Sequence, residues 1–190
     1  MNHRDSASFD TESVPMPIQN STGRASAGTE YDAIEVQTEK GGGRQRKITA
    51  TIHIPHTLEN VWAILTDYEG LADFIPSLHE SRRISHPNDG IRIEQIGNES
   101  LLKLRFCARV VLDMFEQFPH QLRFEMVEGD FKQFSGSWQL QACEGGTNLT
   151  YTVDIVPSRL MPVAMIERCL SKGLQINLAS IKQQANVLFG

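Results

Sequence analysis

The sequence is poor in the features that commit a chain to a disulfide framework or to a membrane. It has only three cysteines, Cys107, Cys143 and Cys169, which are widely spaced and form no C-x-x-C pair. An odd number of such cysteines argues against a disulfide framework and predicts reduced thiols, as in the cytoplasm. No apolar run approaches the roughly 18 residues of a membrane span, and the first residues lack the apolar core of a signal peptide. We therefore expect a cytoplasmic protein.

The sequence also lacks the constellations of common catalytic and metal sites. Its six histidines show no metal-ligand spacing, and it has no G-x-S-x-G motif. The GGG at residues 41–43 is not followed by the Lys-Ser/Thr pair of a phosphate loop. The net charge of −5 gives no general attraction to nucleic acid. These absences predict no catalytic residue, no metal and no cofactor, and they favour a protein that is not an enzyme.

Two acidic pairs remain as candidates for acid/base chemistry. They are Asp113 with Glu116, and Glu128 with Asp130. Because Glu128 and Asp130 flank a glycine in a predicted turn, a solvated turn is the favoured interpretation of the second pair.

What is present is the composition of an ordinary globular protein, with 40% hydrophobic and 22% charged residues. Residues 1–30 are rich in Ser, Thr, Gly and Pro and contain too few large apolar residues to build a core. They predict a disordered N-terminal tail. Residues 31–190 have the length of a single domain.

The longest periodic segment is residues 162–188, which predicts one helix with Pro162 in its first turn. At 1.5 Å per residue this helix spans roughly 40 Å. Helical spacing places one polar residue, Asn177, within an apolar stripe. The apolar members of the stripe are Val163, Ile166, Leu170, Leu174, Ile181, Ala185 and Leu188. A stripe of this length requires a large apolar partner.

The preceding residues supply that partner as a sheet. Alternation predicts a hairpin over 32–39 and 44–54, followed by two short helices, the first with Thr57 as its N-cap. Six more strands are predicted over 78–86, 91–98, 100–116, 121–128, 132–143 and 147–157, with a turn at 97–99 between the second and third of these. Short connections predict an antiparallel meander, and each strand has one apolar face.

The predicted fold class is therefore α+β. A curved antiparallel sheet of about seven strands wraps round the long C-terminal helix, and two short helices follow the first core strand.

Two stretches carry a family resemblance. The first is IPHTLENVW at residues 54–62, continuing to FIP at 74–76, and the second is EGDFKQFSGSW at 128–138. Both resemble the START-like, or SRPBCC, superfamily of helix-grip proteins, and within it the polyketide cyclase/dehydrase and coenzyme Q-binding branch. Asp130 stands where that branch often has proline. The resemblance covers residues 44–189.

The resemblance implies a deep, largely apolar cavity between the sheet and the last helix, in which members carry isoprenoid quinones, lipids or polyketides. Asn177 and Tyr151 are the candidates for polar contacts with a ligand. The full set of candidate cavity residues is Trp62, Phe74, Phe106, Phe124, Phe134, Trp138, Tyr151, Ile166, Leu170, Leu174 and Asn177. For most of the aromatic residues, plain core packing stays the alternative, and for Asn177 a backbone partner does.

The leading functional hypothesis is a non-catalytic carrier of an isoprenoid quinone or another lipid. Its polar head group is expected near a mouth between residues 71–76 and 157–163, where the MPV at 161–163 allows a transient membrane contact. No protein partner is predicted by this hypothesis.

Two other hypotheses stay open. A polyketide-type cyclase or dehydratase requires inward polar groups such as Arg109, Asp113 and Tyr151. Alternation places Arg109 outward, although a β-bulge between residues 109 and 115 reverses that assignment. The third hypothesis is a protein-interaction module of a ribosomal or respiratory assembly.

Overall fold

A computed structural model describes residues 34–101 and 104–190 of the chain, apart from the side chains at 98–101 and 104–106. The predicted tail at 1–30 lies outside the described residues, as does the start of the first predicted strand at 32–33. The tail therefore stays a prediction.

The described strands form one antiparallel sheet. They are β1 Glu35–Lys40, β2 Arg46–Ile54, β3 Leu78–Ile84, β4 Ile91–Leu101, β5 Leu104–Gln117, β6 Gln121–Gly129, β7 Gln133–Cys143 and β8 Gly146–Val156. Their spatial order is β1-β2-β8-β7-β6-β5-β4-β3, so β1 and β3 are the two edges. The predicted N-terminal hairpin strand joins the same sheet through β2, which gives eight strands in place of about seven. The α+β class and the antiparallel topology are confirmed.

Three helices accompany the sheet, namely α1 Leu58–Thr66, α2 Leu71–Phe74 and α3 Val163–Phe189. Thr57 caps α1 as predicted, because its hydroxyl accepts a hydrogen bond from the backbone N–H of Asn60 at 3.3 Å. Pro162 was expected in the first turn of the last helix, and this is wrong. It is the N-cap residue, since its ψ of 121° is extended and helical dihedral angles begin only at Val163.

The predicted turn at residues 97–99 is also wrong. The β4–β5 ladder continues through these residues, with Gly97 opposite Ala108 and Leu101 opposite Leu104. Turn-forming residue types are present here. The continuous ladder nevertheless prevails, because it pairs the backbone N–H and C=O groups that a turn at 97–99 would leave to solvent.

The core lies between the sheet and α3. Helix α3 packs mainly against β2 and also contacts β1, β4, β8 and the two short helices. Its buried face is wider than the predicted stripe and includes Cys169, Gly173, Leu178 and Ala179, because α1 covers the helix beside the sheet. Leu188 does not belong to the buried stripe, since it lies in the exposed last turn with 55% of its surface accessible.

Candidate ligand-binding cavity

A cavity of about 190 Å³ lies between the first two-thirds of α3 and the inner face of strands β4 to β8. It exists because α3 packs mainly against β2, at the other side of the sheet. The strands beyond β8 curve past the helix without closing on it. Small residues at Gly97 and Ala108, on the inner face of β4 and β5, also leave this space open.

Most of the predicted cavity residues line this cavity. They are Phe124, Phe134, Trp138, Tyr151, Ile166, Leu170, Leu174 and Asn177. Trp62 does not line it. Its ring is buried and packs edge-on against Phe118 at 5.5 Å between centroids, because the side chain of this α1 residue points towards the β5–β6 turn. Phe74 packs against the core from α2 without reaching the cavity. The side chain of Phe106 is outside the described set.

Several wall residues were missed. The inner faces of β4 and β5 contribute Ile93, Gln95, Gly97, Ala108, Val110, Leu112 and Met114. Strand alternation does place Ala108, Val110 and Leu112 on one face, so this signal was available in the sequence. Tyr68 carries no such signal, since it follows α1 in a loop.

Five aromatic side chains form one wall of the cavity, here called the aromatic wall: Phe124, Phe131, Phe134, Trp138 and Tyr151. The rings of Trp138 and Tyr151 stack with centroids 3.5 Å apart and planes 9° apart, because these residues face each other across the β7–β8 ladder. Phe124 bridges the stack to Phe134, at 6.2 Å from Tyr151 and 5.4 Å from Phe134. This continuous π surface suits the face of a flat ring.

Polar groups occur at the opposite side of the cavity, and most of them bind one another. The Ser77 hydroxyl donates to the Asn177 side-chain carbonyl at 2.9 Å. Gln95 donates to the Ser81 hydroxyl at 3.2 Å, and Ser81 donates to the backbone carbonyl of Tyr68 at 2.5 Å. The partner of the predicted polar residue Asn177 is thus a serine hydroxyl, whose bond leaves the two amide N–H donors of Asn177 for other acceptors.

The two tyrosines of the cavity differ in their partners. The Tyr68 hydroxyl donates to Glu116 at 2.6 Å. Burial, with a further contribution from Glu116, raises the pKa of Tyr68, and burial alone raises the pKa of Tyr151. Both hydroxyls therefore stay protonated near neutral pH. Among the backbone and side-chain groups that the structure describes, the Tyr151 hydroxyl has no hydrogen-bond partner.

Residues 54–181 match the family described as polyketide cyclase / dehydrase and lipid transport. The chain belongs to this family. The matched residues begin at the end of β2 and reach into α3. They therefore include every strand and helix that lines the cavity of this family member. No curated protein shows significant similarity to the chain.

Solved structures confirm the START-like helix-grip fold of this family member. A STAR-related lipid transfer protein from Xanthomonas axonopodis gives a TM-score of 0.67 at 12% identity, over 82% of this chain and 94% of that chain. A START superfamily protein from Mycobacterium smegmatis gives 0.64 at 14% identity, over 75% and 98%. The Zhui aromatase/cyclase from a Streptomyces species gives 0.63 at 16% identity, over 75% and 94%. Both lipid-transfer proteins and aromatase/cyclases thus share this architecture.

Four charged side chains of β4 and β5 lie on the outer face of the sheet, away from the cavity: Arg92, Glu94, Arg109 and Asp113. Glu116 of β5 differs, since its carboxylate accepts the hydrogen bond of the cavity-lining Tyr68. Arg109 donates to Glu94 at 2.6 Å and to Glu128 at 2.6 Å, and Arg92 binds Asp113 at 2.6 and 2.9 Å. The β5–β6 register does shift between Val111 and Leu112, within the predicted bulge region. The extra residue belongs to β6, so alternation in β5 continues and Arg109 stays outward, as the sequence predicts.

The ion pair between Arg92 and Asp113 makes stability depend on pH. The hydrogen bonds from Arg92 hold the pKa of Asp113 below its usual value. The contribution of ionised Asp113 to the stability of the fold is therefore present above its unfolded-state pKa of about 4. It is lost as pH falls through the lower folded-state pKa. We expect the denaturant midpoint to fall between about pH 5 and pH 2, and to fall less in Asp113→Asn. Equal acid sensitivity of the two proteins contradicts this assignment.

The described residues contain no group of three or more His, Cys, Asp and Glu side chains that could hold a metal ion. Nor does any helix in the described ranges combine the length and apolar character of a membrane span.

Proposed function

We propose that this family member binds and carries a hydrophobic ligand in the cavity, without catalysing a reaction on it. The observation that carries the proposal is that the cavity is largely apolar. The charged side chains of Arg109 and Asp113 lie on the opposite face of the sheet, where they form ion pairs. The family description, which includes lipid transport, supports it. The proposed ligand-binding domain spans residues 31–190.

The cavity suits a ring with a short substituent or part of a lipid chain. Its volume of about 190 Å³ exceeds the roughly 150 Å³ apolar cavity that holds a benzene molecule. Each CH₂ group transferred from water into such a site contributes about 0.8 kcal/mol. A long prenyl chain exceeds this space, so the remainder of the chain extends through the mouth. Our proposed ligand class is therefore an isoprenoid quinone or a similar amphiphilic lipid.

The geometry does not favour the cyclase alternative. Of the three inward groups that the cyclase hypothesis names, Arg109, Asp113 and Tyr151, only Tyr151 lines the cavity. The described lining residues include polar side chains but no carboxylate, histidine, lysine or arginine that could serve as a charged acid or base. No observation on the described residues specifically favours a pure interaction module, whereas the open apolar cavity is the feature that a ligand carrier requires.

The membrane contact predicted at residues 161–163 stays a prediction. The exposed side chain of Leu160, next to this segment, is better suited to such a contact than that of Met161. Arg44 binds the backbone carbonyls of Pro157, Ser158 and Met161, which fixes the loop before α3. The Met161 side chain packs against the core, whereas Leu160 is 95% exposed.

Solvent extraction of the purified protein tests the carrier function. We expect mass spectrometry of the organic extract to show a stoichiometric lipid or quinone. Protein stripped of this ligand is expected to take up a quinone with one or two isoprene units, seen as a raised melting temperature. A chain with neither co-purified ligand nor uptake of added quinone is not a carrier of this class.

A further inference from the structure

The Tyr151 hydroxyl is a buried polar group for which the described part of the chain supplies no hydrogen-bond partner. The residue is only 9% exposed, and its ring is fixed between Trp138 and Phe124. No other described residue gives the hydroxyl a hydrogen bond. Tyr68, in the same cavity, shows the contrasting case, since its hydroxyl donates a hydrogen bond to Glu116 with 2.6 Å between the two oxygens. A buried donor without an acceptor is costly, so the occupant of the cavity must supply one.

Solvent cannot meet this need once a ligand is bound. Water can serve the hydroxyl in a ligand-free cavity, but a ligand that fills the cavity expels that water. A ligand that displaces an ordered water without replacing its hydrogen bonds loses affinity. The polar groups Asn177 and Gln95 differ, because each is only half-buried and already has a serine hydroxyl as a hydrogen-bond partner. The strictest chemical requirement on the ligand therefore comes from Tyr151.

The surroundings of the hydroxyl define the rest of the ligand. Tyr151 belongs to the aromatic wall, which offers a flat π surface next to the donor. A planar ring can lie along this surface while an oxygen on the ring reaches the hydroxyl. An aliphatic tail with the head group outside would leave the donor unpaired against hydrocarbon.

We propose, building on the carrier function, that Tyr151 determines specificity by donating a hydrogen bond to a carbonyl oxygen on a planar ring of the ligand. The ring enters first and lies against the aromatic wall, and the apolar tail points towards the half-exposed rim at Leu170 and Asn177. This orientation reverses the expectation that the head group stays at the mouth.

A matched pair of probes tests this proposal. Tetramethyl-1,4-benzoquinone and 1,2,4,5-tetramethylbenzene both have a planar six-carbon ring with four methyl groups in the same pattern. The quinone carries two carbonyl oxygens where the hydrocarbon carries two ring hydrogens. The quinone has no free ring position for addition of the Cys169 thiol, which also lines the cavity. Binding is measured by titrating protein into dilute probe in a calorimeter. We expect Tyr151→Phe to weaken quinone binding about tenfold and to leave hydrocarbon binding unchanged.

Two controls separate recognition from packing. Tyr68→Phe also removes one hydroxyl from the cavity wall, but that hydroxyl is bound to Glu116, so the preference between the probes should not change. The unliganded Tyr151→Phe protein should melt at or above the wild-type temperature, because it loses no internal hydrogen bond.

The possible failures are distinct. Equal losses for both probes in Tyr151→Phe, or no loss for either, overturn the role of Tyr151 while leaving the carrier function standing. If neither probe binds the wild-type protein although solvent extraction recovers a ligand, the ring-first proposal is overturned and the carrier function stands. If neither probe binds and no ligand is recovered, the carrier function itself is contradicted.

Discussion

Leu170→Trp is expected to abolish ligand binding while the protein stays folded. Leu170 is half-buried and faces the cavity from α3, so an indole at this position extends into open space and fills much of the 190 Å³. Filling a cavity removes the volume that the ligand needs without forcing packed side chains apart. The measurement pairs the denaturant midpoint of the variant with the amount of ligand recovered by solvent extraction. We expect a midpoint close to that of the wild type and no recovered ligand.

Leu178→Trp is the matched control on the same helix. Leu178 is fully buried and does not line the cavity, so its neighbours must move to admit the larger side chain. Overpacking of this kind costs about 1–3 kcal/mol, and occasionally more. Leu174, which lines the cavity but is only 2% exposed, should give an intermediate result as Leu174→Trp. If Leu170→Trp destabilises the protein as much as Leu178→Trp, the space beside α3 is packed core.

Gly136→Ala is expected to lower the free energy of unfolding by about 3 kcal/mol, at the upper end of overpacking effects. A Cβ atom at Gly136 would clash with the backbone carbonyl oxygen of Thr152 and would lie 2.5 Å from the Phe124 ring. The carbonyl belongs to β8 and cannot move without breaking the β7–β8 ladder. The glycine thus permits the close approach of β7, β8 and the Phe124 ring that builds the aromatic wall. Chemical denaturation of both proteins measures the difference.

Gly97→Ala provides the corresponding control in another strand. Its Cβ atom would meet the nearest backbone oxygens, of Ser77 and Ala108, at 3.6 and 3.8 Å, which are ordinary contact distances. We expect its stability to match the wild type within about 0.5 kcal/mol, as for substitutions away from strained sites. A similar loss in both variants would mean that any side chain in place of a strand glycine is destabilising, and the close approach at Gly136 would not be the cause.

Local pattern predicted much of the architecture. Alternation assigned Arg109 to the outer face and Val110 and Leu112 to the inner face, and the structure agrees. Thr57 capped the helix that it was expected to cap. These features depend on residues a few positions apart, whose side chains point to one face or the other by the geometry of strands and helices.

The aromatic residues show where local pattern stops. Trp62 and Trp138 were both predicted to line the cavity, and each lies on the apolar side of its own element. Only Trp138 reaches the cavity, because α1 directs Trp62 towards Phe118 at the β5–β6 turn. Which of two buried faces borders empty space depends on where the neighbouring elements stop, and the periodicity of one segment carries no such information.

The sequence by itself determined an antiparallel sheet with one apolar face, a long amphipathic C-terminal helix and the motifs of a START-like family. Only the tertiary structure decided that α3 packs mainly against β2 and leaves a cavity over the other strands. It also decided that the Tyr68 hydroxyl donates a hydrogen bond to Glu116, while no residue that the structure describes pairs with the hydroxyl of Tyr151. The physical reason is that periodicity fixes the direction of a side chain, whereas cavities and hydrogen-bond partners depend on distances between segments far apart in the chain.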